Sequence, residues 1–204
     1  MADKEILIFV EGPSDKVFLE AYLYFLEDIP IKNFKVKDVT GKDNLSKRLL
    51  EIEKYDKTLI IFDADKDYES NKKEILSKTQ QKITEEQIFL FPNNQDDGDL
   101  ETLLLKIAKH EEFINCFESH LDCIKKQEHY KPIKNIRKSK WYVYLEALGL
   151  EDLYTKKNIF DTEGKVKDQY KGDYEKLKEV IDFNSKSLVP LKNFLERFAE
   201  NNQK

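Results

Sequence analysis

Cysteine is nearly absent: Cys116 and Cys123 are the only two in a chain of 204 residues. Their spacing sets them on one side of a helix, where a disulfide between them is disfavoured, and no C-x-x-C zinc spacing exists. A reducing, cytoplasmic compartment is the expectation. Only 6 glycines and 5 prolines interrupt the chain, which suits a helix-rich protein with few breaks. Long apolar runs are missing as well. The run following Asp3, Lys4 and Glu5 is too brief for a signal peptide or a membrane span, and no later stretch is long enough. The expectation is a soluble protein without a membrane partner. His110, His120 and His129 are scattered among charged neighbours with no metal-ligand spacing. Neither G-x-x-x-x-G-K-[ST] nor G-x-S-x-G occurs, which excludes a phosphate-loop ATPase and a serine-hydrolase elbow in this chain.

What is abundant is charge. Charged residues make up 37% of the chain and the net charge is −5, against 40% hydrophobic and 12% aromatic residues. That apolar content can build a core, so wholesale disorder is not expected. The negative balance argues against coating nucleic acid through global charge but leaves room for a local basic groove.

The pattern along the chain is α/β. Residues 5–10 (EILIFV) read as a buried strand without alternation, followed by a helix that opens at Pro13, Ser14 and Asp15 and carries Val17, Phe18, Ala21, Tyr22 and Phe25 on one face. A second strand is predicted at 34–39, then a helix with Leu45, Leu49, Leu50 and Ile52 inward. Residues 58–62 form the clearest buried strand, followed by a polar helix over 69–83, a fourth strand at 87–91 and a helix bearing Leu100, Leu103, Leu104 and Ile107. Alternation of this kind predicts a mostly parallel, four-stranded sheet with flanking helices in residues 1–110. Residues 111–204 read as a mainly helical extension packed on that domain. Within it, Trp141, Tyr142, Leu145 and Leu148 share a face, a small hairpin is expected near 161–167, and the last helix buries Leu191, Phe194, Leu195 and Phe198.

Carboxylates gather where the strands stop. Glu11 ends the first strand, Asp63 and Asp65 follow the third, and Asp97, Asp99 and Glu101 lie at the start of the Leu100 helix. Ligands bind beyond the carboxyl ends of strands in open α/β sheets, so parallel neighbours would bring these groups to one edge. Asp63 and Asp65, two apart on an extended segment, should leave on the same side. Asp15 can reach back to the same crevice. Several buried like charges call for a cation, and magnesium accepts oxygen ligands alone. Asp15, Asp97, Asp99 and Glu101 are also well placed simply to cap helix starts.

The segments VEGPSD (10–15) and FDAD (62–65) resemble the two signature elements of the Toprim fold, shared by topoisomerases, bacterial primases, small ribosomal-RNA maturases and OLD-family nucleases. The resemblance implies an acid–base or metal-binding role for Glu11 and a magnesium-holding D-x-D pair in Asp63 and Asp65. FPNNQDDGDLETLL, KSKWYVYLEALG and SLVPLKNFLERF further resemble small stand-alone Toprim-like proteins of unassigned function. A glutamate in a comparable L-E position of OLD-family nucleases joins the metal site, which implies Glu101 as a third ligand. The expected metal set is therefore Glu11, Asp15, Asp63, Asp65 and Glu101, with Glu11, Asp63 and Asp65 catalytic and Mg2+ or Mn2+ as cofactor. Where topoisomerases and primases continue D-P-D-x-x-G-E, this chain reads DADKDYES, and no domain supplies a tyrosine nucleophile. Phosphodiester hydrolysis on DNA or RNA is thus the implied activity. A non-catalytic metal- or nucleic-acid-binding module acting with a partner, such as an ATPase, is the alternative.

Lys131, Lys134, Arg137, Lys138 and Lys140 form a basic segment with Tyr130 and Trp141 interleaved. It reads either as a nucleic-acid contact, with aromatics stacking on bases, or as a solvated lysine-rich face. A phosphoacceptor receiver domain also places acids after its first and third strands. It needs a lysine after a fifth buried strand, and the segment before Lys131 is too polar to be one.

Overall fold

The computed structural model describes residues 6–26, 34–151 and 167–199. Four strands form one all-parallel sheet: β1 (Ile6–Val10), β2 (Phe34–Asp38), β3 (Lys57–Asp63) and β4 (Ile88–Phe91), in the order β2-β1-β3-β4. β1 and the Leu59–Phe62 stretch of β3 are wholly apolar because both faces of these central strands are covered, whereas β2 alternates as an edge strand with Val36 buried between Lys35 and Lys37. The α/β architecture matches the pattern read from the chain.

Alternation sorts the side chains into two layers. Leu7, Phe9, Ile60, Phe62, Ile88 and Leu90 join one buried cluster with Leu45, Ile52, Ile75 and Ile83. The intervening residues supply the other face, where Phe91 meets Phe18 of α1 (Pro13–Phe25) at 6.1 Å and Phe89 meets Phe194 of a C-terminal helix at 5.4 Å. Each such side chain buried contributes about 1.5–3 kcal/mol.

The segment after β2 differs from the predicted helix. A 3₁₀ turn runs over Lys42–Arg48 and only Leu49–Ile52 is α-helical (α2). A period of 3.6 therefore does not run on from Leu45, and Leu50, in the single turn of α2 and expected inward, is 75% exposed while Leu45 and Ile52 are buried. The polar helix α3 (Tyr68–Lys78) ends earlier than the predicted 69–83.

The chain divides into two compact units, Met1–Leu103 with Phe183–Lys204, and Leu104–Asp182. The final helix, numbered α8 (Val189–Ala199), thus belongs with the sheet rather than with the extension in which it was expected. Its predicted apolar face holds: Leu191, Phe194, Leu195 and Phe198 are buried. Chain order did not reveal this return because the apolar face of α8 looks the same whichever surface it covers.

The second unit is helical. Helix α4 (Leu100–Ile107) runs into it and is followed by α5 (Glu111–Ile124), α6 (Ile136–Ala147) and α7 (Asp168–Val180). Tyr144 on α6 donates its hydroxyl to the Val180 carbonyl at 2.6 Å and stacks with Trp141 at 5.3 Å. The buried face of α6 is Trp141, Tyr144 and Leu145; Tyr142, expected inward, is exposed. The expected hairpin near 161–167 lies outside the described residues save Lys167. Among the described residues no helix is long and apolar enough to cross a membrane.

Helix α1 carries a carboxylate with a pH-dependent consequence. Glu20 is largely buried with Lys16 at 3.7 Å; burial pushes its carboxyl up to about 7, opposed by the lysine. The folded protein holds this proton more tightly than the unfolded chain. Its contribution to stability is therefore complete below pH 4.5 and lost as the pH rises to about 7. Denaturation at several pH values should show wild type losing on the order of 3 kcal/mol relative to Glu20→Gln across that window. A difference independent of pH would contradict this.

Candidate acidic centre at the β1/β3 edge

Connections leave β1 toward β2 on one side and β3 toward β4 on the other, so the strand order reverses between β1 and β3. Such a switch point opens a crevice beyond the carboxyl ends of the two strands. Val10 pairs with Ile61, which sets Glu11 and Asp63 at that opening.

Asp63 is partly buried at the end of β3. Its Oδ1 accepts the Leu100 N–H at 2.8 Å, tying β3 to the first turn of α4. Burial and the repulsion of Asp15, Glu11 and Glu101 hold its carboxyl well above the ordinary carboxylate range, against the pull of that N–H. Glu101 is 8% exposed and Asp15 is 9% exposed. Burial also raises Glu11; the nearby Lys42 opposes the rise and Asp65 adds to it. One Glu11 oxygen, Oε2, is buried without a hydrogen bond, with the Lys42 ammonium 3.7 Å away. Asp63 thus lies within reach of the charges of Asp15, Glu11 and Glu101.

Asp65 does not follow Asp63 as expected. The strand ends at Asp63, and Asp65 takes a left-handed backbone (φ 54°) with its N–H donating to the Gly98 carbonyl at 2.6 Å. An extended period of two therefore fails there. Asp65 is half exposed and pairs with Lys42, while Asp63 points to the buried acids. Glu11 is coupled to both.

Several acids serve as helix caps. Asp15 Oδ2 accepts the Gly12 N–H at 2.7 Å, Asp97 accepts the Tyr68 N–H at 2.8 Å, and Asp99 accepts the Thr102 N–H at 2.8 Å. The capping role read for Asp15 and Asp99 is therefore present, and for Asp15 it coexists with membership of the crevice.

Lys42 went unrecognised in the sequence. Parallel pairing of β2 with β1 sets their ends together: Val39 N–H donates to the Val10 carbonyl at 3.0 Å and Gly41 N–H to the Glu11 carbonyl at 2.9 Å. Lys42 follows directly and lays its ammonium among Glu11, Asp65 and the Asn71 Oδ1, the last at 2.8 Å. Asn71 is itself fixed, its amide donating to the Ala64 and Asp67 carbonyls at 2.6 and 3.0 Å. A lysine immediately after a strand-end glycine was the available signal.

The donor set suits a hard divalent cation: oxygen ligands only, a raised carboxylate pair and an orphaned Glu11 oxygen. Among the described residues, no group of three or more His, Cys, Asp or Glu side chains already has the arrangement of a metal-binding cluster.

The basic segment lies in the helical unit. Lys131, Lys134, Arg137 and Lys138 are exposed, Lys138 stands 5.9 Å over the Tyr142 ring, and Lys140 pairs with Glu118. Trp141 is 1% exposed, so it cannot stack on a base as expected; it is core. Lys131 follows α5 in a loop rather than a fifth strand, which removes the basis for the receiver reading.

Gly98 holds the loop before α4. Its φ is +146°, and a Cβ there would lie 3.0 Å from Pro92 Cδ and 3.1 Å from Thr102 Oγ1. Gly98→Ala should destabilise the protein by about 1–3 kcal/mol. Gly172→Ala, inside α7 with open space around it, should stabilise by up to about 1 kcal/mol. Chemical denaturation reads both; equal effects would refute the strained role of Gly98.

No curated protein and no solved structure matches this chain. Residues 5–200 match the model of a family described as a protein of unknown function, DUF3226, and the chain therefore belongs to that family.

Proposed function

We propose that this protein hydrolyses phosphodiester bonds in nucleic acid with the help of Mg2+ or Mn2+. The observation that carries the reading is the meeting of Glu11, Asp15, Asp63 and Glu101 beyond the ends of β1 and β3. The likeness of VEGPSD and FDAD to Toprim signatures supports it, as part of the same proposal.

Asp63 and Glu101 would hold the ion, with Glu11 at its margin and Asp15 fixing the start of α1. When bound, the ion supplies polarisation of a phosphoryl oxygen and an activated water. Glu11 has the character of a proton carrier: burial raises its carboxyl above the ordinary carboxylate range, so it would take a proton from water or return one to a leaving oxygen more readily than an exposed glutamate. The buried walls of β1 and β3 limit water around the reacting group. The starts of α1 and α4 lie at the same crevice, where backbone N–H groups already hold the Asp15 and Asp63 carboxylates in place.

A binding module is the second reading. It is favoured by the lack of a ready-made metal cluster among the described residues and by the lysine already paired with Glu11 and Asp65.

Purified protein with Mg2+ or Mn2+ and a panel of single- and double-stranded DNA and RNA separates the two. The enzyme reading expects release of shorter products, reduced at least about a hundredfold in Glu11→Gln and Asp63→Asn. Folded protein that cleaves nothing across the panel, or variants as active as wild type, would reject it.

A further inference from the structure

The chain carries 40 acidic residues, yet none lies between Tyr130 and Leu145, a stretch that holds Lys131, Lys134, Arg137, Lys138 and Lys140. That stretch leads from the loop after α5 into α6, wholly inside the helical unit. Lys131, Lys134, Arg137 and Lys138 are exposed, and so are Ile133, Tyr142 and Val143, at 39%, 37% and 38%. Lys140 stands apart, its ammonium paired with Glu118 of α5.

From this juxtaposition we infer that the loop before α6 and the exposed face of that helix bind single-stranded nucleic acid, with Tyr142 stacking on a base and Lys131, Lys134, Arg137 and Lys138 along the phosphates. This surface shares with the proposed hydrolysis only its class of ligand and needs no metal. Lys138 and Tyr142 are four apart on α6, which puts them on one face, and the ammonium lies 5.9 Å over the ring. A charge for a phosphate and an aromatic plane for a base are thus presented side by side, the combination that holds single strands without reading base edges. With a net charge of −5, the attraction has to come from a local patch rather than from the whole surface.

An anionic lipid surface would also attract four cations. Interfacial helices, however, submerge a broad apolar face, and the apolar face of α6, formed by Trp141, Tyr144 and Leu145, is already buried in the protein. A duplex is a poorer fit too, because its bases stack on one another and offer Tyr142 no open plane.

The full-length protein, kept in EDTA, is tested by fluorescence anisotropy with labelled oligothymidine, oligouridine and a duplex, and by co-sedimentation with phosphatidylserine vesicles. Wild type should bind the single strands more tightly than the duplex and should not sediment with the vesicles. Tyr142→Ala should weaken single-strand binding by about tenfold, and Tyr142→Phe by less than about twofold. Lys131→Gln combined with Lys134→Gln should lower the slope of log affinity against log salt by about 1.4, as two lost phosphate contacts require. Lys171→Gln, on α7, should leave affinity unchanged. No binding at about 50 mM salt, equal affinity for the duplex, sedimentation with vesicles without oligonucleotide binding, or an unchanged salt slope in the lysine double variant would overturn the inference. So would a folded Tyr142→Ala that binds as tightly as wild type. Without divalent ions no cleavage is under test, so these failures are distinct from a failure of the proposed hydrolysis, which is read by product release alone.

Discussion

The parallel pairing of β1 with β3 is the constraint on which everything else rests. It sets Glu11 beside Asp63 at the point where the strand order reverses. Ten inward residues of these strands are fully enclosed by the two helical layers, so the sheet cannot slip its register without exposing core. The cost of crowding the acids is met by that burial, and the fold tolerates it because the crowding occurs at a helix-lined edge.

Helix starts are the second ingredient. Asp63 accepts an N–H from the first turn of α4, and Asp15 accepts one at the start of α1. Capping and clustering are thus the same arrangement seen from two sides: the groups that satisfy free N–H donors also line the crevice. Glu11 caps no helix, and the Lys42 ammonium is within reach of it and of Asp65.

The fold class and most element positions were legible because apolar runs and their turn residues specify them locally. Residues Ile6–Val10 and 59–62 are apolar on both faces, as a doubly covered strand requires. Strand order, by contrast, is a non-local property, and so is the return of α8 to the sheet's unit. Leu50 was misread because the 3₁₀ segment before α2 breaks the helical phase counted from Leu45, and Tyr142 because only contacts could tell it from Trp141 and Tyr144 on the same helix. In the acidic centre, Glu11 and Asp63 were visible as strand-end carboxylates. Asp65 diverged through a positive φ, and Lys42 came in from the far end of β2, whose pairing partner no local pattern reveals.

The central claim is that the carboxylates crowded at this edge are there to hold a divalent ion. Anomalous scattering from a crystal soaked in Mn2+ tests it most directly. The account predicts a peak within coordination distance, about 2.0–2.4 Å, of oxygens from Asp63 and Glu101, with Glu11 beside it. Fully ordered side chains in that crevice with no anomalous peak, or a peak bound elsewhere on the surface alone, would contradict it.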